Sequence, residues 1–346
     1  MKLLVTGGSG FVGSNFIRYM LSTYPDVSIV NLDKLTYAGN PANLASVEND
    51  PRYTFVKGDI ADEAIVDSIL SEGHEFWSGS GGDREGVDAI INYAAESHVD
   101  RSILDPKAFL TTAVFGTYVL LEAARKYSIP RFVQISTDEV YGAILEGETI
   151  ESAPFEPRSP YSAAKAAADH LVASYWSTYQ TPVVITHAAN MYGPYHYPEK
   201  LFPLFITNLI EGKKVPVYGD GMQVREWLHV DDHARAIDTV LRRGVLGESY
   251  NVGTGDRLPN IEITKKLLAL LGKDESSIEH VKDRPGHDRR YALNSQKIRR
   301  ELGWEPKIGF DEGLAATVEW FKENEAWWKP IKSGEYQKYY ETQYGK

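Results

Sequence analysis

Short apolar runs alternate along the first half of the chain with longer stretches whose apolar positions recur every three to four residues. The short runs predict strands at Leu3–Thr6, Val27–Leu32, Tyr53–Lys57, Ala89–Asn92, Phe132–Ser136 and Val183–His187. The longer stretches predict helices over Phe11–Leu21, Glu63–Ser71, Pro106–Lys126 and Pro160–Tyr179. In the first helix Phe16, Ile17, Met20 and Leu21 face inward. In the third, Leu110, Ala113, Val114, Thr117, Leu121 and Ala124 share one face. Strands that are apolar almost throughout are buried on both faces, as in a parallel sheet with helices above and below. The fold class is therefore α/β, a doubly wound parallel sheet.

The rhythm changes after Asn190. Prolines become frequent (Pro194, Pro198, Pro203, Pro216) and strands shorten. This predicts a smaller α/β domain laid over the carboxyl edge of the sheet. Tyr250–Val252 is a candidate to rejoin the sheet. The expected division is 1–190 with a return near 227–252, then 191–226 with 253–330, then a tail over 331–346. Trp320, Trp327, Trp328, Tyr339 and Tyr340 make the last stretch aromatic, which points to a packed final helix and tail. Residues 72–86, EGHEFWSGSGGDREG, read as an exposed loop pinned by Phe76 and Trp77. There is no internal repeat.

Composition narrows the functional classes. The 346 residues are enough for about two domains at roughly 150 residues each. The net charge of −11 is a poor basis for general binding to nucleic acid or anionic lipid. There is no cysteine, which excludes disulfides, thiolate catalysis and Cys-based zinc sites and is compatible with the cytoplasm. The opening Met1–Gly7 is too short in apolar residues for a signal peptide, and no apolar run approaches the ~20 residues of a membrane span. Neither a membrane nor a nucleic-acid partner is expected.

Thr6-Gly7-Gly8-Ser9-Gly10-Phe11-Val12-Gly13 lies between the first strand and the first helix. Gly7 permits a tight turn, Gly10 a close approach of the backbone to a pyrophosphate, and Gly13 close helix–strand packing. Free N–H groups at the helix start favour phosphate. Asp33 follows the last glycine by 33 − 13 = 20 residues, where a carboxylate accepts from ribose hydroxyls and repels a 2′-phosphate. The expected cofactor is NAD, on a Rossmann-like sheet. Asp59 is placed to meet the adenine.

Tyr161 and Lys165, four residues apart at a helix start, share one face. A tyrosine near pH 10 is too weak a base at neutrality. A nearby ammonium and a positive nicotinamide ring favour its phenolate, so the pair is a candidate to deprotonate a substrate hydroxyl. His229-Val230-Asp231-Asp232-His233 has His at i and i+4, but a zinc hydrolase pair needs Glu beside the first His. Asp231 or Asp232 reads instead as a cap for a helix over Ala234–Leu241. No metal is expected.

Four further segments carry a resemblance: Asp33–Asn40, Ala94–Arg101, Ser136–Gly142 and Arg284–Tyr291. With them the chain, from residue 1 to about 330, resembles the nucleotide-sugar 4,6-dehydratases of the extended short-chain dehydrogenase/reductase superfamily, most closely those acting on dTDP-glucose. The triplet Thr137-Asp138-Glu139 is the specific part. Related epimerases usually carry uncharged residues in place of Asp-Glu. The long connection at 72–86 departs from the usual short one.

The resemblance implies a lyase in nucleotide-sugar and deoxysugar biosynthesis that oxidises C4, eliminates water across C5–C6 and reduces C6 with a retained NAD. It assigns Tyr161 as base with Lys165, Thr137 as a hydrogen-bond partner of the 4-hydroxyl, Glu139 as C5 base and Asp138 as acid for the 6-hydroxyl. Cofactor contacts are implied for Gly7, Gly10, Phe11, Val12, Gly13, Asp33, Lys34, Leu35, Thr36, Asp59 and Ile60. They are also implied for Tyr93, Ala94, Ala95, Glu96, Ser97, Thr112, Tyr161 and Lys165. Substrate contacts are implied for Ser97, Thr137, Asn190, Lys200, Leu201, Pro216, Tyr218, Arg225, Asn260, Arg284 and His287, with Arg225 and Arg284 as phosphate clamps. A homodimer is implied, and the Ala163, Ala164, Ala167, Ala168 face suits close helix packing. The same reaction on UDP-glucose, a 4-epimerase and a non-catalytic nucleotide-binding protein are the alternatives. The last needs none of Tyr161, Lys165, Asp138 and Glu139.

Overall fold

The computed structural model describes residues 1–71, 77, 86–333, 336, 340 and 343. Its strands are β1 (Lys2–Thr6), β2 (Ser28–Asp33), β3 (Tyr53–Lys57), β4 (Ala89–Asn92), β5 (Phe132–Thr137) and β6 (Val183–Ala188), then β7 (Asn190–Tyr192), β8 (Val215–Tyr218), β9 (Val224–His229), β10 (Ser249–Val252), β11 (Arg257–Pro259) and β12 (Ile278–Val281). Its helices are α1 (Phe11–Thr23), α2 (Glu63–Leu70), α3 (Val99–Leu104), α4 (Pro106–Leu110), α5 (Thr117–Lys126) and α6 (Pro160–Tyr179), then α7 (Leu201–Ile210), α8 (Val230–Arg243), α9 (Asn260–Leu270), α10 (Gln296–Leu302), α11 (Phe310–Glu323) and α12 (Glu325–Ile331).

Seven strands form one sheet in the order β3-β2-β1-β4-β5-β6-β10, all pairs parallel. The order reverses between β1 and β4, so loops at the carboxyl ends diverge there and leave a crevice. Side chains alternate across each strand. Leu3 and Val5 join Phe16, Ile17, Ile237 and Val240 in a core under α1 and α8. Leu4 joins Val66, Ile69, Leu120 and Val172 in a second core under α2, α5 and α6. Two buried faces are the reason the inner strands are largely apolar, and polar residues within them such as Asn92 and Gln134 are buried and bonded to each other.

The smaller lobe combines a three-stranded sheet, β11-β9-β7, with the pair β12-β8. Its core packs Tyr192, Phe202, Trp227, Leu267, Phe321 and Trp328 among α7, α9, α11 and α12. Tyr250–Val252 lies in β10, beside β6. Leu293, Ile298, Leu302 and Trp304 pack with the α1–α8 core of the large sheet.

Three local readings change. The helix expected over 106–126 is interrupted by a π-helical turn at Thr111–Gly116. The wide turn shifts the phase of the faces. Leu110 is consequently 53% exposed, and Phe109 is the residue buried there. A Cβ on Gly116 would sit 2.5 Å from Ile60, so the turn packs tightly on that side chain. Second, α8 begins four residues earlier than expected, and its cap is His229, whose Nδ1 accepts from the Asp231 amide at 3.2 Å. Asp232 instead accepts from the amides of Lys307 and Ile308. Third, Ala164 and Ala168 pack internally on Phe109 and Ala113, leaving only Ala163 and Ala167 exposed.

Trp77 donates from Nε1 to the Ile69 carbonyl at 2.8 Å and packs on the second core. Phe76 and the rest of 72–85 lie outside the described residues, as does Tyr339. Trp328 is fully buried, and Tyr336 donates to the Pro198 carbonyl. Among the described residues no helix is long and apolar enough to cross a membrane.

Candidate active site

A cleft of about 380 Å³ runs along the carboxyl ends of the strands and under the smaller lobe. At one end Gly7 has φ +66° and stands against the backbone of Ala94, where a Cβ would come within 2.7 Å. A Cβ on Gly13 would meet the Gly7 carbonyl at 2.6 Å. Gly10 precedes α1 without a side-chain cap. The first-turn N–H groups of α1 thus face the cleft wall formed by Gly10, Phe11, Val12 and Gly13. That glycine cradle with an uncapped helix start fits a pyrophosphate.

Asp33 lines the cleft with both oxygens engaged by backbone: Oδ2 accepts from Ser9 and Oδ1 from Leu35, each at 2.8 Å. Lys34 reaches Asp59 at 2.6 Å, and both line the same wall with Thr36 and Ile60. Leu35 does not line the cleft. Its backbone turns through φ +56°, and its N–H is spent on Asp33, so its part is to fix that carboxylate. Tyr93, Ala94, Ala95, Glu96 and Ser97 form the floor after β4, and Thr112 enters from the π-helical turn.

The middle of the cleft is built by β5 and α6. Ser159 caps α6 by accepting from the Ser162 amide at 3.1 Å, and Pro160 opens the first turn. This cap fixes where Tyr161 and Lys165 emerge. Both line the cleft. Lys165 is only 5% exposed and donates from Nζ to the Ile135 carbonyl at 2.5 Å. Burial lowers its pKa, with Asp169 opposing. The Tyr161 phenol is pushed above its usual value, by burial first and by the Glu139 carboxylate second. The expectation paired Lys165 with a positive nicotinamide ring, and Lys165 by itself does not bring the tyrosine down. The ammonium is itself desolvated and hydrogen-bonded to a carbonyl, so the phenolate depends on further positive charge.

Thr137 ends β5 and accepts from the Glu139 amide at 3.3 Å, starting a tight turn. Its hydroxyl donates to Asp138 Oδ1 at 3.2 Å. Glu139 lines the cleft; Asp138 lies just behind the wall, 2% exposed, with Oδ2 lacking a hydrogen-bond partner. Burial and then Glu139 push the Asp138 carboxyl well above its ordinary value, which favours its protonated form. Burial also raises Glu139, but Arg284, Arg225 and Lys200 pull it back. Two adjacent carboxyls therefore differ because three cations act on Glu139 and only Arg225 acts on Asp138.

Those cations mark the far end. Lys200 donates to the Ser97 carbonyl at 2.5 Å. Arg225 is held by the Val224 and Asp288 carbonyls and lies over the Tyr291 ring at 4.1 Å. Arg284 stands 3.5 Å from Asp100, which also accepts from Tyr218 at 3.1 Å. His287 pairs with Asp283 at 2.6 Å; burial and Arg284 push its pKa to about 4, so it is neutral. Leu201 and Pro216 add apolar wall. Asn190 and Asn260 line the cleft with side-chain oxygens that lack partners.

A family model described as GDP-mannose 4,6 dehydratase matches residues 4–317. The chain is 50% identical over 337 residues to dTDP-glucose 4,6-dehydratase of Streptomyces niveus, covering 96% of each. To the dTDP-glucose 4,6-dehydratase 1 of Escherichia coli it is 45% identical, covering 99% of each. The chain belongs to the dTDP-glucose 4,6-dehydratase family. A crystal structure of a dTDP-glucose 4,6-dehydratase from Streptomyces venezuelae, with NAD bound, superposes with a TM-score of 0.90 at 51% identity, covering 96% of this chain and 100% of that one. A UDP-glucose 4-epimerase from Thermus thermophilus, in complex with NAD, is more distant, with a TM-score of 0.82 at 30% identity over 94% of this chain and 100% of that one.

In this dTDP-glucose 4,6-dehydratase family member, sequence reasoning passed over several wall residues. Glu199, 4% exposed, pairs with Arg101 at 2.9 Å, and Arg101 lies over Tyr37 at 3.9 Å. His196 stacks on Phe11 at 4.2 Å, joining the small lobe to the glycine cradle. His98, Asp100 and Trp227 also face the cleft. Asp100 and His98 stood inside a motif already singled out, and Glu199 directly precedes Lys200. His196 and Trp227 carried no comparable signal.

Proposed function

We propose that this protein converts dTDP-glucose to dTDP-4-keto-6-deoxyglucose and water as an NAD-dependent lyase. The observation that carries the reading is the meeting, at one cleft, of Glu139, Tyr161 and Lys165 in its wall with a buried Asp138 just behind, whose surroundings favour its protonated form. A plain 4-epimerase has no use for the two carboxyls.

Bound NAD supplies a hydride acceptor for C4 and, later, the donor for C6. Tyr161 takes the proton of the 4-hydroxyl, with Thr137 holding that oxygen and Lys165 supporting the phenolate. The 4-keto group acidifies the hydrogen at C5, and Glu139 removes it. Asp138 gives its proton to the departing 6-hydroxyl, and water leaves. Glu139 then returns its proton to C5. The turnover leaves Tyr161 protonated and Asp138 ionised, so one proton must be restored to Asp138 before the next cycle. Arg225, Arg284 and Lys200 hold the pyrophosphate, and Asn190 and Asn260 offer oxygens for hydrogen bonds to the rest of the nucleotide sugar.

The proposal extends to the lobes: 1–190 with 227–252 carries the cofactor, and 191–226 with 253–330 carries the nucleotide sugar. It also extends to a cytoplasmic homodimer. Ile103, Leu104, Leu110, Phe115 and Tyr118 leave apolar surface over α3 to α5, and Ala163 and Ala167 of the adjoining α6 are exposed beside them, a face suited to a second copy. The deciding experiment incubates the purified protein with dTDP-glucose, UDP-glucose and GDP-mannose. A 4-keto-6-deoxy product from dTDP-glucose is expected. Product from UDP-glucose alone would move the assignment to that nucleotide, and a C4 epimer without water loss would replace the dehydratase reading.

A further inference from the structure

Tyr161, Lys165 and Asp169 stand at i, i+4 and i+8 on one face of α6. Asp169 is 1% exposed. Its Oδ2 accepts the Ser136 hydroxyl at 2.5 Å and lies 3.4 Å from His187 Nε2. Ser136 and His187 are directly opposite in the β5–β6 register, so both side chains meet the underside of α6. His187 is also 1% exposed, and the Tyr141 and Phe155 rings stand edge-on to it.

Hydrogen bonding fixes the protons around this pair. Asn251 donates from Nδ2 to the carbonyls of Thr149 and Asn294, so its Oδ1 points at Tyr141. The Tyr141 hydroxyl spends its one proton on that oxygen at 3.0 Å. Its 3.0 Å contact with His187 Nδ1 therefore requires the ring to donate. A neutral ring that donates from Nδ1 has a bare lone pair at Nε2, which stands 3.4 Å from a carboxylate oxygen in a site closed to water and has no hydrogen-bond partner. Two acceptors that close repel, and one proton at Nε2 turns the repulsion into an ion-pair attraction.

We infer that Asp169 and His187 share one proton and act as a positioning pair for Lys165 in the oxidation at C4. The carboxylate stands one helical turn from Lys165 on α6, and the ring meets Tyr141 through Nδ1. The other titratable groups around it are Tyr161 on α6 and Asp138, Glu139 and Tyr141 in the turn after β5. Lys165 has no carboxylate within ion-pair distance among the described residues, so the pair supplies its nearest counter-charge within α6.

The role in oxidation rests on the dehydratase reading; the shared proton does not. In holoprotein labelled with nitrogen-15 histidine, above about pH 8 where a free imidazole is neutral, the His187 Nε2 signal, identified by its loss in His187→Asn, is expected well away from the bare-nitrogen position. A bare Nε2 overturns the inference even if every variant misfolds. The second arm follows NADH formed on mixing with dTDP-glucose, as a function of pH. Asp169→Asn should slow the oxidation, because Lys165 loses its counter-charge, and move the acid limb down by about one pH unit, because Tyr161 loses a nearby negative charge that opposes its phenolate. His187→Asn leaves the carboxylate in place, so its limb should not move down. Slower oxidation in both with unmoved limbs means a structural role only and overturns the inference. Absence of NADH in the unmodified protein would count against the dehydratase reading and leave the nitrogen measurement standing.

Discussion

The two ends of the cleft are built by different means. The glycine end is made of backbone: one turn at positive φ, an uncapped helix start and a carboxylate held by two amides, all within residues 6–35. The nucleotide-sugar end is made of side chains, with Lys200, Arg225 and Arg284 drawn from three separated segments and held by carbonyls and by Asp100. A backbone site fails when a single atom intrudes. A site of several cations should lose affinity by degrees when one is removed.

The sharpest break of this contrast is Gly13→Val. The new Cβ would press on the Gly7 carbonyl at 2.6 Å and on Gly8 Cα at 2.8 Å, and neither is a flexible side-chain end. The purified variant should release essentially no NAD on denaturation and show no turnover, whereas the unmodified protein should release NAD without any having been added. Retained NAD in the variant would mean the cradle is not where the cofactor sits.

Next in size is the middle of the cleft. Tyr161→Phe should bind dTDP as before and form no NADH from dTDP-glucose, since the hydroxyl is the proposed base and adds little contact area. The carboxyls then separate. Asp138→Asn should still exchange the C5 hydrogen in heavy water while elimination slows by roughly 10²–10⁴-fold. Glu139→Gln should lose both. Mass spectrometry of the sugar reads the exchange, and the reverse pattern would exchange the two roles.

At the cation end, Arg284→Ala should raise KM for dTDP-glucose by about 10- to 100-fold, the value of one ionic hydrogen bond. NAD content should stay unchanged. Initial rates across substrate concentration test this, and a loss as complete as that of Gly13→Val would erase the distinction between the two ends.

The smallest effect concerns stability. The folded Asp138 carboxyl binds its proton more tightly than the unfolded one, because burial raises its pKa. The native state thus holds more protons than the unfolded state once the pH passes the ordinary carboxyl value, and stability falls with rising pH across that window. Asp138→Asn removes this dependence. Its melting temperature near pH 7 should equal or exceed that of the unmodified protein, while activity falls. A lower melting temperature would show that the carboxyl is stabilising where it lies.

Much of this was legible in the chain because it is local. Strand alternation, Gly7 to Gly13, Asp33 and the Tyr161–Lys165 spacing are set by short-range geometry, and short-range geometry leaves a pattern in sequence. The π-helical turn left none. Leu110 kept its helical spacing and still turned outward, beside a π-helical turn that breaks the 3.6-residue phase. Leu35 stood in a motif, but its amide was needed by Asp33.

The sequence alone determined the α/β class, the cofactor cradle and the identity of the acid and base candidates, since each depends on residues a few positions apart. Only the tertiary structure decided their surroundings. Asp138 is buried and pushed toward its protonated form, and Glu139 is flanked by more cations, because segments around 200, 225 and 284 converge on Glu139 and only Arg225 acts on Asp138. Likewise Asp169 and His187 meet because β5 and β6 register Ser136 against His187 beneath α6. Charge acts through space at a few ångströms, and which groups come that close is fixed by the fold rather than by spacing along the chain.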